Sequence, residues 1–176
     1  ALSFDKNDYI LLSPITFVAS ANCALYCNSK VEFIDIESDY YTIDPIKLEI
    51  KIKQLKKRRK KIKAVIVTDY AGQPSDWKKL KFLSKKYKFF LINDNCHALG
   101  AKYLNRKDYA VKFADIVIQS FHPVKNITTG EGGVVLTNNK FIFEKIKLLR
   151  SHNIKKFFFN WFYDVKFLGY NYRITD

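Results

Sequence analysis

Short β-branched runs alternate with longer helical patterns along most of the chain. The clearest run is 64–68 (AVIVT), which is apolar on both faces, as strands in the interior of a parallel sheet are. Between such runs, Asp44 followed by Pro45 marks a helix start, because Asp is a favoured N-cap residue and Pro suits the first helical turn. The alternation predicts an α/β domain with a mostly parallel sheet covered by helices. We expect strands at 9–12, 30–36, 64–68, 89–92, 114–120 and 134–137, and helices at 17–27, from Asp44–Pro45, from Ser75 or Asp76 to Tyr87, and at 140–150.

The length and the composition fit one globular domain. The 176 residues include 48% hydrophobic and 27% charged residues, which excludes disordered, collagen-like and coiled-coil classes. No apolar run approaches the roughly 18 residues that a membrane span needs, and no secretory signal pattern is visible. We therefore expect a cytoplasmic protein with no membrane partner. The three cysteines lack CxxC spacing, so we expect reduced, mostly buried thiols rather than disulfides or a zinc site.

The formal net charge is +14, which is large enough to attract polyanions. Its densest stretch is the basic run from Lys51 to Lys63, and the other lysines are scattered as on solvated helix faces. A nucleic-acid-binding module that uses this run with Phe157 to Phe159 and Trp161 stays open as an alternative. It predicts binding of single strands that weakens strongly with salt. It leaves the polar residues at the strand ends unexplained, so we expect no nucleic-acid partner.

Three groups of polar residues follow predicted strands, at the edge where ligands bind in open α/β sheets. Asp94 follows FFLI with His97 three residues later, Ser120 opens the segment SFHPVKNITTGEGG, and 69–74 (DYAGQP) follows AVIVT. Taken singly, Asp94 could be a helix N-cap, and Lys125 in the Gly-rich loop could point into solvent. Taken together, an acid, an amine and several hydroxyls at one sheet edge indicate a catalytic site.

This combination favours Schiff-base chemistry. Lysines held among apolar walls become usable amine nucleophiles, and a carboxylate such as Asp94 would keep the ring nitrogen of pyridoxal phosphate protonated. Ser120 and the hydroxyls and glycines of 128–133 offer groups that can approach a phosphate. The patterns GxGxxG, GxxxxGK[ST], HExxH and GxSxG are absent from the sequence, which removes the common nucleotide, zinc and serine-hydrolase interpretations. The sequence therefore predicts pyridoxal 5'-phosphate as the cofactor.

Seven segments, in their order and spacing, resemble the DegT family of pyridoxal-phosphate sugar aminotransferases, a fold-type-I group. They are SPITFVASANCAL, VEFIDIE, VTDYAGQPSD, LINDNCHALGA, SFHPVKNITTGEGGVVLTNN, IKLLRSHNI and GYNYRITD. Within the family, SPITF, SFHPVK and LLRSHNI are similar to the enzymes of the pseudaminic acid pathway, which aminate C4 of a UDP-linked 4-keto-6-deoxy sugar. The resemblance implies the large domain of a fold-type-I transferase, and transamination with glutamate as the usual amino donor.

The resemblance also implies a role for individual residues. Lys125 matches the lysine that forms the Schiff base with the cofactor and then moves the proton, and Asp94 matches the partner of the pyridine nitrogen. His97 matches a polar position near the ring, and Phe17 matches the aromatic residue that stacks on the ring face. Ser120 matches the hydroxyl that donates to the cofactor phosphate.

Two further residues bear on assembly and on the reaction. Asn171 in GYNYR matches an asparagine that reaches a phosphate in the neighbouring subunit's site, with Arg173 as the competing candidate, so the resemblance implies a homodimer with shared active sites. In dehydratase relatives a histidine replaces the Schiff-base lysine. Here Lys125 itself stands in that place, with His122 nearby, so transamination is favoured over dehydration.

Two departures from the family pattern concern activity. Members carry a preceding Gly-Thr/Ser-Ala-Leu phosphate-binding turn and a small C-terminal domain beyond GYNYR, and this sequence shows neither. We expect 1–150 to form an incomplete cofactor-binding large domain and 151–176 to lead toward the small domain. A phosphate site without its turn loses charge-assisted hydrogen bonds, so we expect weak or no activity from these 176 residues alone. A non-catalytic fragment of such an enzyme stays open as an alternative.

Overall fold

A six-stranded sheet lies at the centre of the computed structural model, which describes residues 1–156, 162–165 and 167–174. Five strands are parallel, and the last strand of this sheet along the chain pairs antiparallel with its neighbour. The strands are β1 (Asp8–Leu12), β2 (Lys30–Phe33), β3 (Lys61–Thr68), β4 (Phe90–Asp94), β5 (Ile116–Ser120) and β6 (Gly133–Leu136). Their order in the sheet is β2-β1-β3-β4-β5-β6, which confirms the predicted mostly parallel α/β fold.

Helices cover both faces of this sheet, and most of them begin at a residue that caps the first turn. Asp44 accepts hydrogen bonds from the N–H groups of the first turn with Pro45 at the first helical position, as predicted. Asp76, rather than Ser75, accepts the capping hydrogen bond of the next long helix. The helices are α1 (Ala19–Tyr26), α2 (Pro45–Lys57), α3 (Trp77–Tyr87), α4 (Tyr109–Phe113) and α5 (Lys140–Arg150).

Successive strand residues point to opposite faces of the sheet, and each face has its own core. Along β3, Val65 and Val67 pack with α2, α3 and α4, on what we call the α3 face. Ala64 and Ile66 pack with residues of α1 and α5, on what we call the α1 face. The central strands keep this phase, with odd-numbered core residues on the α3 face and even-numbered ones on the α1 face. The phase decides which polar residues at the strand ends can meet.

Several boundaries differ from the predictions, and four short elements were not predicted. Helix α1 begins at Ala19 rather than residue 17, β2 ends at Phe33, and β4 continues to Asp94. Helix α4 and the 3-10 helix Tyr70–Gly72 are too short to show helical periodicity in a sequence. The strands β7 (Ile154–Lys156) and β8 (Tyr163–Val165) pair antiparallel within a tail for which no element was expected.

The prediction of mostly buried thiols is wrong for Cys23 and Cys27, which are exposed, whereas Cys96 is partly buried. Only Ser20 and Ala24 of α1 are buried, so this short helix covers the sheet with small residues and turns its cysteines outward.

The basic run lies on the second half of α2 and the start of β3, where carboxylates pair with part of it. Lys51 contacts Glu32 at 3.1 Å and Lys61 contacts Asp8 at 2.7 Å. These pairs favour a solvated structural surface over a nucleic-acid site. The aromatic residues proposed for that alternative, within 157–161, lie outside the described residues. In the described part of the chain, no helix has the length and apolar character needed to cross a membrane.

Candidate active site

The carboxyl ends of β3, β4 and β5 meet at one edge of the sheet and bring the predicted polar residues together. In the register of the parallel strands, Thr68 lies opposite Asp94, and Asp94 lies opposite Ile118. Ser120 ends β5 two residues later, so its side chain has the same phase as that of Ile118. Thr68, Asp94 and Ser120 therefore face the α1 side of the edge.

The loop after β5 carries Lys125 back to this edge. Lys125 Nζ lies 2.9 Å from Nε2 of His97, three residues beyond Asp94. Two turns shape the loop: the N–H of Lys125 donates to the carbonyl of His122 at 2.9 Å, and the Thr128 hydroxyl donates to the carbonyl of Phe121 at 2.9 Å. The predicted amine and imidazole are thus in direct contact, although 28 positions separate them.

Asp94 is partly buried and held on two sides. One of its oxygens accepts from the backbone N–H of Cys96 at 3.2 Å, and the other accepts from the Ser20 hydroxyl at 3.4 Å. Burial, followed by the Asp94 carboxylate, raises the pKa of the Cys96 thiol to about 12, while the Lys125 ammonium acts in the opposite direction. The thiol is therefore protonated at neutral pH and a poor nucleophile.

A chain of hydroxyl groups links two strand ends through the segment before α1. Thr68 Oγ1 lies 2.8 Å from Thr16 Oγ1, which lies 3.1 Å from Ser20 Oγ, and Ser20 then donates to Asp94. The sequence predictions missed this chain. Thr68, as the last residue of a buried strand, was the signal that could have found it.

Phe17 and Ser120 flank this arrangement, each near a backbone turn. Phe17 lies in the turn before α1, where its carbonyl accepts from the N–H of Ser20 at 3.0 Å, and its side chain is 72% exposed. Ser120 Oγ accepts from the N–H of His122 at 3.3 Å, a bond that does not use the hydrogen of its own hydroxyl. The stacking role of Phe17 and the phosphate role of Ser120 stay predictions.

Asn171 and Arg173 lie in the tail. Arg173 Nε donates to Asn171 Oδ1 at 2.8 Å, and Asn171 forms an isolated antiparallel bridge with Ser151 after α5. Both residues are exposed. The two candidates for the neighbouring site therefore contact each other, and the contribution to a second subunit stays a prediction.

A buried carboxylate lies on the opposite face of the same strand ends. Asp69 has no exposed surface and accepts five hydrogen bonds, a cluster that the sequence located but did not explain. Its partners are the N–H of Ser75 (2.9 Å), Trp77 Nε1 (3.1 Å), Asn93 Nδ2 (3.2 Å), Asn95 Nδ2 (3.0 Å) and the Tyr109 hydroxyl (2.7 Å). Burial raises the pKa of Asp69, and the hydrogen bonds from Ser75, Tyr109 and the two asparagines oppose the increase.

The site residues fit pyridoxal phosphate. Lys125 supplies an amine supported by an imidazole, and Asp94 presents a carboxylate at an open strand end. Phe17 supplies an exposed aromatic ring, and Ser120 supplies a hydroxyl. An amine, an acid for a ring nitrogen, an apolar face and a phosphate donor are the groups that this cofactor requires.

The whole described chain is similar to known aminotransferases. The model of the DegT/DnrJ/EryC1/StrS aminotransferase family matches residues 1–176. A UDP-4-amino-4,6-dideoxy-N-acetyl-beta-L-altrosamine transaminase from Campylobacter jejuni is 47% identical over 171 residues, which are 97% of this chain and 44% of that protein.

Solved structures share the fold. Helicobacter pylori PseC, an aminotransferase involved in the biosynthesis of pseudoaminic acid, superposes with a TM-score of 0.83 at 39% identity, over 97% of this chain and 43% of that one. NtdA from Bacillus subtilis with bound cofactor PMP superposes with a TM-score of 0.74 at 26% identity, over 86% of this chain and 32% of that one. The chain thus spans less than half the length of these relatives.

Proposed function

The chain belongs to the DegT/DnrJ/EryC1/StrS aminotransferase family, and from this premise we propose that it forms the cofactor-binding part of a sugar aminotransferase that uses pyridoxal phosphate. One observation carries the proposal: the Lys125 amine contacts His97 at the strand-end edge that holds Asp94. An amine and a carboxylate that share one edge are what the cofactor's two reactive ends need. When bound, the cofactor supplies an electron sink that stabilises negative charge on the carbon bearing the amino group.

Each site residue then has a task that its contacts support. Lys125 would bind the cofactor through its amine, and that amine would also carry the proton that moves during the reaction. His97 would hold the amine in place by accepting a hydrogen bond from Lys125 Nζ at its Nε2. In this arrangement the proton of the neutral imidazole is on Nδ1. Asp94 would keep the ring nitrogen protonated. Ser20 and the N–H of Cys96 fix the Asp94 carboxylate by hydrogen bonds to both of its oxygens.

Phe17 and Ser120 would complete the cofactor site, the first against the ring face and the second at the phosphate. Asn171, or else Arg173, would serve the site of a second copy of the chain in a homodimer. In this proposal 1–150 belongs to the large domain and 151–176 leads toward the small domain.

The substrate would be a UDP-linked 4-keto-6-deoxy sugar and the amino donor glutamate. The 47% identical relative from Campylobacter jejuni, whose name specifies a UDP-sugar transaminase, supports this assignment. The reaction transfers the amino group of glutamate to the keto carbon of the sugar and releases 2-oxoglutarate. A net charge of +14 would favour the approach of the diphosphate-bearing sugar. Because this substrate is a cytosolic metabolite class, we propose a cytoplasmic location.

Covalent trapping tests the central assignment. The whole protein, as its gene encodes it, would be incubated with pyridoxal phosphate, treated with borohydride, digested and examined by mass spectrometry. We expect the reduced cofactor on the peptide containing Lys125. Lys125→Ala should lose the label, and Lys107→Ala, a change at an exposed loop lysine, should keep it.

Two results would contradict the proposal. One is a label that persists undiminished in Lys125→Ala, which would assign the cofactor to another lysine. The other is a wild-type protein that binds the cofactor at Lys125 yet forms no amino sugar and no 2-oxoglutarate from the UDP-linked keto sugar and glutamate, which would remove the substrate assignment.

A further inference from the structure

Asp69 is buried on the α3 face of the sheet edge, opposite the α1 face to which Asp94 points. We propose that Asp69 is a positioning residue, which fixes the direction of the Asp94 carboxylate toward the ring nitrogen of the cofactor. This inference rests on the proposed function. The contacts between Asp69 and the residues around Asp94 carry it.

Asp69 contacts the chain on both sides of Asp94 and at Asp94 itself. Its Oδ2 accepts from Asn93 Nδ2 at 3.2 Å and from Asn95 Nδ2 at 3.0 Å. Its backbone N–H donates to the carbonyl of Asp94 at 3.1 Å. Three consecutive residues, the last two of β4 and the one after it, are therefore held by the residue that follows β3.

Because side chains alternate along β4, the contacts of Asp69 with Asn93 and Asn95 also fix the direction of the Asp94 side chain. Asn93 and Asn95 have the odd phase and lie on the α3 face, where Asp69 is buried. Because side chains alternate along an extended strand, Asp94 must then point to the α1 face, where it accepts from the Ser20 hydroxyl. If β4 slipped by one residue, Asp94 would point into the core of the α3 face. The two amide contacts therefore specify that Asp94, and not a neighbouring residue, reaches the site.

The orientation of the Asn93 amide indicates that its hydrogen bond to Asp69 is favoured over other contacts of the same amide. Asn93 is fully buried, and in the part of the chain that the structure describes its Oδ1 has no hydrogen-bond partner. A buried acceptor without a partner costs about 1–3 kcal/mol. The amide keeps this orientation because the reverse one would place its oxygen against the Asp69 carboxylate.

The same cluster reaches the third strand end. Asn95 Oδ1 accepts a hydrogen bond from Gln119 Nε2, and Gln119 is the residue before Ser120 on β5. Gln119 is buried on the α3 face, so by the same alternation Ser120 faces the cofactor side. A purely structural role for Asp69 would be met by its bonds to Ser75 and Trp77, which hold the start of α3.

The test compares Asp69→Asn with Leu80→Ala in the whole protein loaded with pyridoxal phosphate. Leu80 is buried in the same core but is not one of the partners of Asp69, so it controls for general loss of stability. Two quantities are measured: the Kd of the cofactor, and the nitrogen-15 chemical shift of its labelled ring nitrogen. We expect Asp69→Asn to raise the Kd about tenfold, which corresponds to about 1.4 kcal/mol. The chemical shift should move toward that of a neutral ring. Leu80→Ala should lower the melting temperature and leave both quantities near wild type.

A double-mutant cycle decides whether Asp69 acts through Asp94. In an Asp94→Ala background there is no carboxylate for Asp69 to position, so adding Asp69→Asn should not change the Kd of the cofactor further. Equal effects in both backgrounds, or equal effects of Asp69→Asn and Leu80→Ala, would overturn the inference. Where Asp69→Asn yields no folded protein, Asn93→Ala takes its place and removes one of the two amide contacts. It should raise the Kd in the same direction, and an unchanged Kd would also overturn the inference.

The two proposals fail in different ways. If the wild-type protein and Asp94→Ala bind the cofactor with clearly different Kd while Asp69→Asn matches wild type, only the positioning role is wrong. If the wild-type protein binds no cofactor, the proposed function is wrong, and the positioning role is wrong with it.

Discussion

Replacing Tyr109 by Phe should destabilise the protein at least twice as much as the same replacement at Tyr103. The two rings lie 6.1 Å apart, and each donates its hydroxyl to a carboxylate. Tyr109 is 1% exposed and donates to the buried Asp69 at 2.7 Å. Tyr103 is partly exposed and donates to Asp76 at 3.2 Å, near the start of α3. The pair therefore compares the same chemical change in a buried and a partly solvated setting.

The magnitude follows from what remains bonded after the hydroxyl is removed. Asn95 Nδ2 donates to the Tyr109 hydroxyl at 2.8 Å but also to Asp69 at 3.0 Å, so it keeps a partner. Asp69 loses one of its five donors, and water has no access to replace it. A hydrogen bond to a charged group contributes about 1.5–3 kcal/mol, so we expect a loss of about 2 kcal/mol. At Tyr103 water can replace the hydroxyl, and we expect a loss below about 1 kcal/mol.

Urea unfolding of the whole protein, followed by tryptophan fluorescence, measures the difference. The Trp77 ring lies 6.3 Å from Tyr109 and reports on this core. With a urea dependence of about 2 kcal/mol per M, Tyr109→Phe should lower the midpoint by about 1 M. Tyr103→Phe should lower it by less than half as much. Equal shifts for the two variants would refute the conclusion that the Asp69 cluster contributes more stability than an ordinary surface network.

Two further predictions concern a close backbone approach and an acid-sensitive pair. Gly72 and Gly100 both have positive φ (87° and 84°), so Ala should cost about 1 kcal/mol at each. At Gly72 the new Cβ would also lie 3.1 Å from the carbonyl of His97, whereas no described atom lies within 4 Å at Gly100. Gly72→Ala should therefore lower the melting temperature by more than the about 2–4 °C expected for Gly100→Ala, and equal losses would contradict the role of the contact. The pKa of Glu49 is lowered from 4.5 to about 2, first by the hydrogen bond from Lys86 and then by the one from the Tyr87 hydroxyl. The ionised form therefore stabilises the fold above pH 4.5, and this contribution is lost as the pH falls toward 2. The melting-temperature difference between wild type and Glu49→Gln should shrink over that range, and a constant difference would show that the pair contributes nothing.

Much of the fold could be predicted because local patterns encode it. The run 64–68 is apolar on both faces because the strand is covered on both faces. Asp44 caps α2 by accepting from backbone N–H groups only two and three residues away. Elements shorter than two turns, such as α4, carry no detectable period. The exposure of Cys23 and Cys27 was missed because it depends on which side of α1 meets the sheet.

Part of the candidate site was also predictable, because ligand-binding residues in parallel sheets follow the carboxyl ends of strands. This rule identified Asp94, Ser120 and the loop with Lys125. It also located Asp69 without indicating its role, because a strand-end carboxylate can face either side of the sheet.

The sequence by itself determined the order of strands and helices, the residue types at each strand end and the family. Only the tertiary structure decided which of these residues meet. Lys125 and His97 are 28 positions apart, and Asp69 and Tyr109 are 40 positions apart. Their contacts depend on the register of neighbouring parallel strands and on the face to which each side chain points. Register and facing are set by packing between distant segments, whereas periodicity and capping act within a few residues.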